Sequence, residues 1–182
     1  MKESIGAQDH TESGLFANSG TESGMKTHGR FIVECRDAED KVRWTEVSDN
    51  LVVTVGKNDM EAKYFSGSSY NASFFVGLKN TGTALAADTM TSHASWTENT
   101  TYSNGARPTF TAGTPASGAV SNSGSPAVFN INGTTTIFGC FITTDSTKGG
   151  TTGILFSASD FASSRAVLSG DTLSVTYTLT LT

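Results

Sequence analysis

From Thr172 to Leu181 apolar and polar positions alternate without a break. Leu173, Val175, Tyr177, Leu179 and Leu181 form one set, and Ser174, Thr176, Thr178 and Thr180 lie between them. A period of two puts the first set on one face of a strand and the hydroxyl row on the other, the pattern of a half-buried antiparallel strand. Near the other end, RFIVECR and VRWTEV flank the polar residues 37–41 and predict a β-hairpin. NLVVTV (residues 50–55) predicts a third strand, which Gly56 ends. In KNDMEAKYF (residues 57–65), Met60, Tyr64 and Phe65 fall near helical spacing behind Asn58 or Asp59 as a cap, and one short helix is predicted there. Further strands are predicted at residues 73–79, 109–112, 127–132, 134–143 and 153–157. Residues 88–94 read as a single helical turn, and Trp96 as a plug in the core. Eight or nine short strands with Gly, Ser and Asn turns predict an all-β body, an antiparallel β-sandwich or jelly-roll-like fold.

Residues 1–29 break this pattern. They hold Gly, Ser, Glu and Asp with few apolar side chains, too little surface to offset the entropy of ordering. The expected organisation is therefore an extended N-terminal arm over residues 1–29 and a β-sandwich body over residues 30–182. Within the arm a tetrapeptide occurs twice. Thr11, Glu12, Ser13 and Gly14 precede Leu15 and Phe16, and Thr21, Glu22, Ser23 and Gly24 precede Met25. One reading is chance repetition in a low-complexity segment. The other is a tandem peptide that docks twice on a repeated surface and orders on its partner. These eleven residues are the candidate partner-binding set.

Composition agrees with the strand reading. The chain has 182 residues, of which 51 are Ser or Thr and 19 are Gly, against only 3 Pro. Thr suits strands because its branched Cβ fits the pleat, and Ser and Gly suit the turns. The net charge is −5, and the charged side chains crowd into the first third. Without a cluster of Lys and Arg there is no footprint for a phosphate backbone, so nucleic acid is not an expected partner. No apolar run reaches the roughly 18 residues of a spanning helix, and the N-terminus lacks a signal-peptide pattern. No membrane association and a cytosolic origin are expected.

The chemistry-bearing residues are sparse. Cys35 and Cys140 sit in apolar segments and read as two buried free thiols, with a disulfide between them left open. No CxxC or paired-His spacing offers a zinc site. His10 and His28 lie in the arm. His93 follows Ser92 and trails Asp88, but neighbours in a polar loop do not make a triad, and a loop-stabilising hydrogen bond is the expected role. Asp88, Glu98, Asp145, Asp160 and Asp171 each lie beside turn-forming residues, where capping is expected. Lys148-Gly149-Gly150 lacks the ending of a phosphate loop and reads as a hairpin turn. A calcium-loop spacing is absent. No catalytic residue, metal or cofactor is expected. Low charge over residues 65–182 removes the repulsion that keeps copies apart and suits a subunit that packs against others.

Five segments carry a resemblance. They are GRFIVECRDAEDKVRWTEVSDNLVVTVGKNDMEAKYF, FFVGLKNTGTALAADTMTSHASWTENTTYSNGARPTF, SPAVFNIN, KGGTTGILFSASDF and RAVLSGDTLSVTYTL, and together they cover 111 of the 154 residues from Gly29 onward. In these the chain resembles a group of tailed-bacteriophage virion structural proteins, variously described as decoration or head-fibre proteins. The resemblance implies a non-enzymatic virion component, made and assembled in the host cytoplasm. Its partners would be the major capsid protein or other virion proteins, and copies of itself as a dimer or trimer. A capsid decoration (cement) protein held by its arm is the first expectation. A neck, collar or tail protein, serving as adaptor, fibre base or host-recognition knob, is the alternative. A carbohydrate-binding or hydrolytic module, stacking sugars on Trp96, Tyr102 and Phe110, is the third.

Overall fold

The structure, a computed structural model, describes residues 26–70 and 73–182. Nine strands and one helix follow in the order β1 (Thr27–Arg36), β2 (Val42–Val52), α1 (Thr54–Phe65), β3 (Phe75–Thr81), β4 (Thr97–Asn99), β5 (Ala119–Ser121), β6 (Ala127–Asn130), β7 (Thr135–Thr143), β8 (Leu155–Val167) and β9 (Thr172–Leu181). All pairings are antiparallel, in the order β4-β3-β7-β8-β2-β1-β9-β5, with β6 also on β9. The all-β, sandwich-like fold with one short helix follows directly.

One strand turns the sheet back on itself. β2 pairs with β1 from Val42 to Asp49, and then with β8 from Asn50 to Val52. It therefore belongs to both halves and forms the corner between them. Its inward side is accordingly polar: Glu46 receives the Arg165 guanidinium from β8, Ser48 meets Ser159 at 3.1 Å, and Asn50 donates to the Tyr177 hydroxyl at 2.8 Å. The halves close on one core. Phe31, Val33 and Cys35 of β1 and Leu173, Val175 and Tyr177 of β9 pack with Val76, Leu78, Cys140, Ile142 and Phe156 of the other half. Both cysteines are free and buried.

A second, smaller core lies on the opposite face of β7 and β8. Phe141, Leu155 and Ala158 are covered by Val53, Ala84, Met90 and Trp96. This layer explains why the first five residues of β8 are buried without alternation. It also fixes Trp96 at 2% exposure, as the plug expected from sequence.

The boundaries differ from expectation in instructive places. β1 starts at Thr27, so residues 27–29 are strand, because they pair with Leu181, Thr180 and Leu179. The third strand expected at residues 50–55 is the end of β2 followed by the start of α1. The helix begins at Thr54, and neither Asn58 nor Asp59 caps it. Instead the Val53 and Thr54 backbone N–H groups donate to Phe156 and Ala86, so tertiary contacts set its start. Gly56 is required there, since a Cβ would come within 2.2 Å of the Phe156 carbonyl oxygen. Residues 88–94 form turns, not a helical turn, and of residues 109–112 only Thr109 bridges to a strand.

Candidate functional site

The carboxylates noted in the sequence are engaged by other side chains and backbone groups, and the largest such network surrounds Glu98. Glu98 on β4 accepts from Arg107 Nε at 3.0 Å and from Nη2 at 2.7 Å. It also accepts from the Gly149 backbone and the Tyr102 hydroxyl. The remaining Arg107 donors reach the carbonyls of Asp145 and Gly150. Lys148 closes the same loop by donating to the Tyr102 and Asn104 carbonyls, each at 2.9 Å. Arg107 and Glu98 are sealed, with side chains 0% and 8% exposed. Burial and the neighbouring Glu98 carboxylate push the Tyr102 hydroxyl well above its usual range. A network with every partner satisfied fixes the loops in one arrangement.

The other candidate residues are similarly engaged. Asp88 accepts from Trp96 Nε1 and the Leu85 backbone, both at 2.8 Å. His93 pairs its Nδ1 with the Thr89 carbonyl at 2.9 Å and stacks on Trp96 at 4.1 Å. Asp88 and His93 thus point to different partners, and His93 has the loop role expected of it. Lys79, fully buried on β3, meets Asp160 of β8 across the second core. Asp171 takes Arg43 at 2.7 Å and the Cys35 thiol at 3.6 Å. Burial, with the Asp171 charge behind it, pushes Cys35 up to about 12, and burial raises Cys140 still further. Neither thiol is a nucleophile at neutral pH. Among the described residues no cluster of His, Cys, Asp or Glu is placed to hold a metal ion. No helix there is long and apolar enough to cross a membrane. The sugar-stacking reading loses its platform, because Trp96 and Tyr102 are buried at 2% and 0% exposure.

The surface that stays open lies elsewhere. A groove of about 1420 Å³ runs between α1, the residue 109–115 loop and the ends of β1 and β9. Its floor includes Phe74, Phe110, Ile142, Phe156 and Tyr177. Phe74 and Phe156 meet edge to face at 5.8 Å, and Phe110 and Tyr177 do so at 5.7 Å. Burial pushes the Tyr177 hydroxyl up to about 12, so the floor is uncharged. Three aromatic side chains stand along the groove with little cover: Tyr64 is 84% exposed, Phe65 75% and Tyr70 77%. Met60, Tyr64 and Phe65 lie on the short helix that their spacing predicts, but they do not share an environment. Met60 packs on the core, while the last turn carries Tyr64 and Phe65 beyond it. On α1, Lys63 is taken by Asp59 at 2.7 Å.

The eleven candidate partner-binding residues, Thr11 to Phe16 and Thr21 to Met25, lie outside the described residues. The chain enters the described body at Lys26, which itself lines the groove. Lys26 and Thr182 exchange both backbone hydrogen bonds, at 2.6 and 2.9 Å, so the strand register already holds there. The described residues form an antiparallel β-sandwich with an open groove beside α1 whose floor is apolar. No protein-family model matches the chain, and no curated protein matches it.

Proposed function

We propose that the protein is a non-enzymatic bacteriophage virion structural protein, a capsid decoration protein that binds the major capsid protein through the segment preceding β1. The observation that carries this reading is the resemblance of the five quoted segments, which hold 111 of the 154 residues from Gly29 onward. Two features support it. The loop carboxylates are consumed in structural networks, and the open surface is apolar, which suits adhesion rather than turnover. A subunit of this kind gains from many modest contacts on a repeated lattice, because each contact raises the effective concentration for the next.

Deletion of residues 2–25 tests the reading and spares Lys26 and β1. The truncated protein should keep its circular dichroism spectrum and lose binding to purified capsids. Undiminished binding would reject the docking role of the segment. Densitometry of purified virions tests the location. A copy number comparable with the major capsid protein supports decoration, and about a dozen copies would place the protein in the neck or tail.

A further inference from the structure

We propose that Lys79 and Asp160 condense to an amide, a covalent cross-link between β3 and β8 that the chain forms on itself. The inference goes beyond the proposed function and does not rest on it.

The sheet register brings these two side chains together across an intervening strand. Lys79 of β3 and Asp160 of β8 are both paired with Gly139 of β7. Their backbones are therefore two strand spacings apart, about 10 Å. Lys79 crosses that gap at a position where no side chain stands in the way. None would be tolerated there, since a Cβ on Gly139 would come within 2.0 Å of the Ser159 carbonyl oxygen. Lys79 Nζ is in direct contact with Asp160 Oδ1. The Lys79 side chain is 0% exposed, and its Nζ lies 5.3 Å from the centre of the Trp96 ring.

The surroundings suit an amide better than an ion pair. An ammonium carries three protons, and Lys79 Nζ bonds two acceptors, Asp160 and the Gly82 carbonyl at 3.2 Å. Burying two charges is also expensive unless every remaining proton and lone pair is matched. Condensation removes both charges and leaves one N–H and one carbonyl oxygen. The site holds one partner for each. The Gly82 carbonyl is placed to accept from the new N–H, and the Ala84 backbone N–H, 3.1 Å from Asp160 Oδ2, to donate to the new carbonyl.

The step balances within the pair. Nζ passes a proton to Oδ1 and attacks Cγ with the lone pair so freed. The Ala84 N–H supports the negative charge that develops on Oδ2. The Cγ–Oδ1 bond then breaks, and Oδ1 leaves as water with two of the three ammonium protons. The third proton stays on the amide nitrogen. The Asp160 side chain is 33% exposed, which gives the water a way out. Holding amine and carboxyl in contact supplies the effective concentration that free reactants lack.

Mass spectrometry of the full-length purified protein, unfolded before injection, reads the bond directly. The expected mass is that of the chain less one water. Trypsin should leave the chain uncut after Lys79 and release a branched peptide joining Lys79 to Asp160. Lys79→Arg keeps a cation at the site without the amine, and it should show its full mass. A wild-type chain at its full mass after prolonged incubation would overturn the proposal and leave an ion pair only. A water loss that persists in Lys79→Arg, or that maps to other residues, would overturn it as well. The wild-type mass decides even where the variant fails to fold. No particle is involved, so this outcome is separable from that of capsid binding.

Discussion

Two regions of the sandwich, the loops around Glu98 and the groove beside α1, invert the usual rule for surfaces. In the loops around Glu98, charged groups are sealed inside, and an Arg–Glu pair has replaced water with each other and four further protein partners. At the groove beside α1, three large aromatics, Tyr64, Phe65 and Tyr70, are mostly exposed. The contrast separates two uses of the same composition. Buried ions with complete hydrogen bonding specify one loop geometry, because any alternative arrangement leaves a charge unpaired. Open apolar surface specifies nothing about its own fold, and it gains free energy only when something else covers it. The sealed network is where the structure is most constrained, and the groove is where it is available.

This comparison can be broken at the sealed network first. Arg107→Met should be the most damaging change, leaving the Glu98 carboxylate buried without its cation and costing about 3–5 kcal/mol. A guanidinium titration of the variant should show a much lower midpoint, and an unchanged midpoint would show that water already reaches Glu98. Gly56→Ala acts at the start of α1. Its Cβ meets the Phe156 carbonyl, so the start of α1 must lift from β8 at a cost of about 1–3 kcal/mol. The same titration reads it.

A third test uses pH. Cys35 and Tyr177 have folded-state values raised to about 12 by burial. Groups raised in this way bind their protons more tightly when folded, so their contribution is complete below the unfolded values. It is lost as pH rises from about 9 toward 12. Thermal melts should therefore fall steadily across that window, and thiol reagents at pH 8 should modify Cys35 and Cys140 only on unfolding. At the acid end, hydrogen bonds from Thr152 and Thr147 lower Asp145. Its contribution to holding the residue 144–154 loop should be present above the ordinary carboxylate range and fade as pH falls through the lowered value.

The smallest effect on stability belongs to the groove. Tyr64→Ser, Phe65→Ser and Tyr70→Ser should each change the unfolding free energy by no more than about 0.5 kcal/mol. Large losses of stability would mean that these rings support the body after all.

Sequence reasoning worked best where one face of a strand is buried and the other is wet. β9 was legible to the residue because its alternation is complete, and the β1–β2 hairpin because a polar loop separates two apolar runs. It failed where burial came from elsewhere. The Ser and Ala residues of β8 read as loop beyond residue 157, yet the strand continues to Val167, paired with β7 and facing the corner strand. β4 and β5, of three residues each, are held by neighbours and carry no pattern of their own. Asp88 looked like part of a helical turn, but its bond to Trp96 fixes a different loop. The groove was invisible for the same reason: Tyr64 and Phe65 have the composition of a core, and only their position past the edge of the sheet exposes them.

Local patterning alone determined that this chain would be built of antiparallel strands with a charged first third and a weakly charged remainder, because side-chain alternation and turn chemistry act between near neighbours. Only the tertiary structure decided which carboxylates are sealed, where the helix begins and which aromatics stay uncovered. Those outcomes depend on residues far apart in sequence, such as Glu98 with Gly149 and Gly56 with Phe156, whose meeting no local pattern encodes.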